Sequence, residues 1–226
     1  MAKLSDVRAR PEPRDPRRPG LAAVVLLVTL LHVSFAAAEP IDTLLAQVDA
    51  RTIAASDIAL ARALRVLGFT PSSSPITRTD VDRFVDVRLI LSEAGKIGVE
   101  AEPAALDRAW AEAAARAGGE AALARWLEDK AIDRDWARLM VGEDIVKSKF
   151  LDARFAAFIF PDEEMVTRVL GPGQHDEDAR ERVRQELIRR AAVEAQAKWL
   201  ADARRRASIK ILLPDGGSVV PPFTGP

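Results

Sequence analysis

Arg206-Ala207-Ser208-Ile209-Lys210-Ile211-Leu212-Leu213-Pro214 breaks the helical pattern of the chain. Ile209, Ile211 and Leu213 alternate with Ser208, Lys210 and Leu212, and Pro214 closes the run, so this is a strand. Nearly everything before it has helical periodicity. A strand on its own presents a row of unpaired amides and carbonyls. Only one other segment reads convincingly as strand: Leu44–Val48, continued by Thr52-Ile53 beyond an Asp49-Ala50-Arg51 turn. Residues 208–213 are therefore expected to pair with 44–48. The two are far apart in sequence, but the entropy of closing a loop grows only logarithmically with its length. The expected fold is mainly α, with a small β-sheet built from the two ends of the chain and a long C-terminal helix.

Working outward, the helices come in order. Ser56 is placed to cap a helix carrying Ile58, Leu60, Ala61, Leu64 and Leu67 and ending at Gly68. Thr79-x-x-Asp82 resembles a capping box for a helix with Val81, Phe84, Val85, Leu89 and Leu91 that stops at Gly98. Pro103 sits in the first turn of the next, where its missing amide costs nothing. Gly118-Gly119 separates that helix from a short one over Glu120–Lys130. Asp133 caps a longer helix with Trp136, Leu139, Met140, Ile145 and Phe150, interrupted at Phe158-Ile159-Phe160-Pro161. Asp162-Glu163-Glu164 opens a short helix that ends at Gly171-Pro172-Gly173. The last helix, Asp176 to Arg206, repeats apolar residues every four positions from Val183 to Ala203, and at 1.5 Å per residue spans roughly 46 Å. Residues 216–226 hold three prolines and three glycines and are expected to form a flexible tail.

The first 38 residues are of another kind. Met1–Gly20 carries six Lys/Arg and four prolines; Leu21–Phe35 is apolar; Ala36-Ala37-Ala38 follows. This is the pattern of a signal peptide cleaved after residue 38. If it is retained, Gly20–Ala38 is just long enough to anchor the chain in a bilayer. The domain then covers 39–215. Removing the six Lys/Arg and three Asp/Glu of the leader from the chain's 33 and 34 leaves a net charge of −4. That balance gives no reason to expect nucleic acid as a partner. Membrane contact is expected only through the N-terminal segment, if uncleaved.

The chemistry the composition permits is narrow. There is no Cys, so no disulfide, no thiolate nucleophile and no cysteine zinc site. The two histidines are His32, in the leader, and His175, beside Asp176-Glu177-Asp178. Those acids suit a solvated helix N-terminus better than a metal cluster. Neither a G-x-S-x-G nor a phosphate-binding glycine loop is present. No metal or cofactor is expected, and the chain reads as a binding protein rather than an enzyme.

Several segments resemble the SurA N-terminal chaperone-domain family. Val48-Asp49-Ala50-Arg51-Thr52-Ile53-Ala54-Ala55-Ser56-Asp57-Ile58 is similar to that family's opening strand, turn, strand and capped helix. Glu93-Ala94-Gly95-Lys96-Ile97-Gly98-Val99 resembles one of its helix ends, and Phe160-Pro161-Asp162-Glu163-Glu164-Met165 its acidic helix start. Trp199-Leu200-x4-Arg205-Arg206-Ala207-Ser208-Ile209 resembles its last helix and closing strand. Ala50 stands where the family commonly has Gly. The related foldases carry a parvulin prolyl isomerase domain before the final helix; here only Pro161–His175 is available, far short of the roughly 50 residues a domain needs. The resemblance implies a periplasmic chaperone of the outer-membrane protein biogenesis type, without isomerase activity, whose partners are unfolded client polypeptides. The alternative is a dedicated envelope protein that binds one folded partner through the same fold. Trp126, Trp136 and Met140, around the short helix, are the expected client-binding residues, because a groove for extended apolar segments needs large apolar side chains.

Overall fold

The two strand segments pair. In the computed structural model, β1 (Leu44–Val48) lies antiparallel to β4 (Ile209–Ile211), with Ala46 opposite Ile211 and Val48 opposite Ile209. The structure describes residues 42–157, 159–171, 173 and 176–226. The leader, Phe158, Pro172 and His175, on which readings were made above, lie outside the described residues. On its other edge β1 pairs with β2 (Arg51–Ala54), giving the order β2-β1-β4. The hairpin turn has a positive φ, 53°, at Asp49 alone. Ala50 needs no left-handed backbone, so glycine is not required there.

Among the described residues there are seven α-helices. They are α1 (Ala55–Leu64), α2 (Arg78–Lys96), α3 (Pro103–Arg116), α4 (Glu120–Asp129), α5 (Arg134–Leu151), α6 (Glu163–Leu170) and α7 (Glu177–Arg206). A π-helical turn, Asp152–Ala156, extends α5. None of these helices is long and apolar enough to cross a membrane.

Helix starts follow capping chemistry, in two cases displaced from their expected positions. Ser56 lies inside the first turn of α1, not at its cap; its hydroxyl binds the Asp42 carboxylate, and Asp57 reaches back to accept the Ala54 amide at 2.9 Å. Thr77, not Thr79, caps α2, and Asp80 accepts both its amide and its hydroxyl at 2.8 Å. In both places the chain enters the helix straight from an extended residue, so the cap falls two positions early. Helix α1 also ends early, at Leu64, because Arg65 and Leu67 adopt left-handed conformations, φ 58° and 60°. Asp133, Asp162 and Asp176 cap α5, α6 and α7 with their own carboxylates.

The main core gathers Leu45 and Ile53 from the sheet, Ile58 and Leu60 from α1, Phe84 from α2 and Met140 from α5. A smaller cluster of Ile90, Ala94 and Phe150 is covered by Trp199 and Leu200 of α7. Ion pairs fix the helices to one another. Arg62, only 6% exposed, bridges to Asp80 at 2.9 Å and donates to the Ser74 carbonyl at 2.7 Å. Arg204 clamps the base of α7 onto Asp82 and Asp86 of α2. Away from that clamp α7 is half-buried or exposed throughout. Its first half packs with α6, where Glu163 binds Arg180 and Arg184 and Val166 is fully buried.

The flexible tail expected over 216–226 is corrected by the structure. β3 (Ile76–Thr77) and β5 (Ser218–Val219) form a second antiparallel ladder. Beyond it Phe223 meets the Trp126 ring edge-on at 5.9 Å, and the Trp126 indole N–H donates to the Thr224 carbonyl at 3.1 Å. A two-residue strand is too short to leave a period in the sequence.

Candidate functional site

An open apolar groove of about 500 Å³ runs between the C-terminal half of α2, the 97–102 connector, the start of α3 and one face of α5. Leu91, Val99, Leu106, Leu139, Gly142 and Val146 form its apolar surface. Leu139, Gly142 and Val146 recur at spacings of three and four, a helix face separate from the one that carries Met140 into the core. Leu139 is 60% exposed. Gly142 faces the Leu106 side chain, and a Cβ placed on it would lie 3.7 Å from Leu106 Cδ1.

Val99 also lines a second hollow of about 550 Å³, with Ile97, Phe150, Arg154, Phe155 and Trp199. Trp199 stands between Phe150 and Phe155, with centroids 5.7 and 5.8 Å away, and the Arg154 guanidinium lies 5.6 Å from the Trp199 ring centroid. Such a cluster offers aromatic faces to an incoming side chain at little ordering cost. A third hollow, against α6, is lined by Glu163, Glu164, Thr167, Arg168 and Gly171, none of them a large apolar side chain.

Charge of both signs rims the first groove: Arg51 and Arg138 on one hand, Glu100, Asp135 and Glu143 on the other. Glu143 is held by Arg88 at 2.8 Å, and Arg88 also faces Asp57 at 3.7 Å. Burial pushes the Glu143 carboxyl above its ordinary value, against the pull of Arg88. Burial does the same to Asp57, against the Ala54 amide and Arg88. The Arg88 Nε is buried with no hydrogen-bond partner. This triad joins α1, α2 and α5 behind the groove and fixes the wall that Glu143 contributes. Among the described residues no group of His, Asp and Glu could hold a metal ion.

The three residues expected to bind client are placed elsewhere. Met140 is 1% exposed and Trp126 9% exposed, both within the main core; Trp136 is partly buried against the same core. None of the three lines the groove. The residues that do line it had a signal: the second apolar stripe on α5 at 139, 142 and 146. Trp199 was legible only as an apolar member of the α7 stripe, since nothing local tells whether that position faces the core or a hollow.

No family model and no curated protein matches the chain.

Proposed function

We propose that this chain is an exported, isomerase-free relative of the SurA chaperone core that holds extended apolar segments of unfolded polypeptides in the periplasm. The observation that carries this reading is the pair of apolar hollows meeting at Val99, with Leu139 and Ile97 exposed beside them. The resemblance of its opening and closing segments to that family, and the pairing of those segments as one sheet, support it.

The mechanism is reversible burial. A client Leu or Phe side chain leaving water for the groove contributes about 1.5–3 kcal/mol. Two to four such side chains are set against an association cost of about 4–15 kcal/mol. The affinity expected is therefore weak to micromolar, with tolerance for sequence. The mixed rim selects neither acidic nor basic clients.

The full mature chain should suppress aggregation of several unrelated unfolded proteins at near-stoichiometric amounts. Leu139→Asp should weaken this about tenfold, equivalent to about 1.4 kcal/mol, and leave stability within about 0.5 kcal/mol, since its side chain is mostly in solvent. Suppression confined to one protein, with a single folded species co-purifying, would instead support a dedicated envelope interaction protein. Equal suppression by wild type and Leu139→Asp would remove the groove from the mechanism.

A further inference from the structure

The last residues of the chain lie in a crevice of their own, away from the groove at Val99. After β5 the chain passes through Pro221 to a bend at Pro222, and Val220 is 77% exposed. It then docks. Phe223 packs edge-on against Trp126, whose indole N–H binds the Thr224 carbonyl. Gly225 lies so close to α1 that a Cβ on it would be 3.3 Å from the Ala63 Cα.

These contacts have the form of peptide recognition. One aromatic side chain is read by shape, one backbone carbonyl is read by a fixed donor, and a proline-restricted bend at Pro222 presents them. A carbonyl is present at every position of any polypeptide, so the Trp126 donor accepts other sequences. Nothing covalent or metallic holds the segment down.

We propose that this crevice is an exchangeable binding site for polypeptide segments carrying an aromatic residue next to proline, and that Val220–Gly225 fills it at rest as a built-in competitor. The tethered segment acts at an effective concentration in the millimolar range, so a free peptide binds only as the tether is weakened. The site does not depend on the groove at Val99. A client engaging both would be gripped at two separate places.

The chain has no cysteine, which makes the test clean. A Cβ built on Gly225 lies 3.7 Å from the Ala63 Cβ, the spacing a disulfide requires. The probe is a fluorescein-labelled peptide with the sequence of residues 218–226, followed by anisotropy on the full chain. Phe223→Ala in the protein should bind it at least tenfold more tightly than wild type. With Phe223→Ala added, the Ala63→Cys/Gly225→Cys variant should bind the probe when reduced and at least tenfold more weakly when oxidised, and a probe lacking the Phe should not bind. Leu139→Asp should leave all of this unchanged, which separates failure here from failure of the groove. If Phe223→Ala binds the probe no better than wild type, or oxidation makes no difference, the proposal is wrong.

Discussion

Asp80 shows how one carboxylate can carry both local and tertiary structure. It caps α2 through Thr77 and pairs with the buried Arg62 of α1. Burial pushes its carboxyl up, but the Thr77 amide and hydroxyl and the Arg62 guanidinium outweigh that and hold it below its ordinary value. Since the folded carboxyl titrates below the unfolded one, its contribution is complete above the ordinary aspartate pKa of about 3.9 and fades as pH falls through the folded value. Asp80→Asn should therefore cost about 2–4 kcal/mol at pH 7, from the lost cap and a broken, mostly buried pair. In urea titrations the gap between variant and wild type should narrow as pH falls below about 4. Gly142 is the opposite case, a residue whose replacement should help the fold. A Cβ there meets Leu106 Cδ1 at 3.7 Å and the Ala101 Cβ at 3.9 Å, ordinary contact distances. Gly142→Ala should raise stability by about 0.5–1 kcal/mol. It also fills the floor of the groove, so the same variant should bind an aromatic-rich unfolded peptide more weakly than wild type. A thermal melt and a peptide titration together check both halves.

Among the elements, the β1–β2 hairpin and its partner β4 are joined by more than ladder bonds. Asp49, at the turn, accepts the Ser208 amide on its carboxylate at 2.9 Å and gives its own amide to the Ser208 carbonyl at 2.8 Å. Its φ of 53° is a left-handed conformation that aspartate tolerates more readily than alanine. Asp49→Ala should lose about 1–2 kcal/mol, seen as a lower denaturation midpoint with an unchanged slope. The elements also show what the sequence could and could not disclose. Strand β4 was legible because it alternates in burial directly after a long helix, and β1 because its short apolar run is followed by a turn and a second β-rich pair. Asp133, Asp162 and Asp176 were legible as caps because each precedes an apolar stripe without a rival. Thr77 was not, because Thr77 and Thr79 both stand near an aspartate and only the preceding extended residue tells them apart. The groove lay between these extremes. Its α5 stripe is in the sequence, but which apolar face of that helix stays uncovered depends on where α2 and α3 stop, and that is tertiary information.

For the whole molecule, the sheet and the long helix divide stability unequally. Trp199, Leu200, Ala203 and Arg204 attach α7 to α2 and the small aromatic cluster, while the start of α7 is tied to α6 through Glu163 and its partners Arg180 and Arg184. Amides of 44–48 and 209–211 should exchange with deuterium together and slowly, as one cooperative unit. Amides of 177–190 should exchange at least tenfold faster in the same experiment. Equal rates along α7 would mean that its first half is held by something more than α6. The contact between Asp49 and Ser208 spans 159 positions. A ribosome releases the earlier half of that pair long before the later one, so the hairpin waits with one edge bare while the helices between are made. A polypeptide that cannot finish its sheet until the end completes its fold only once synthesis is over.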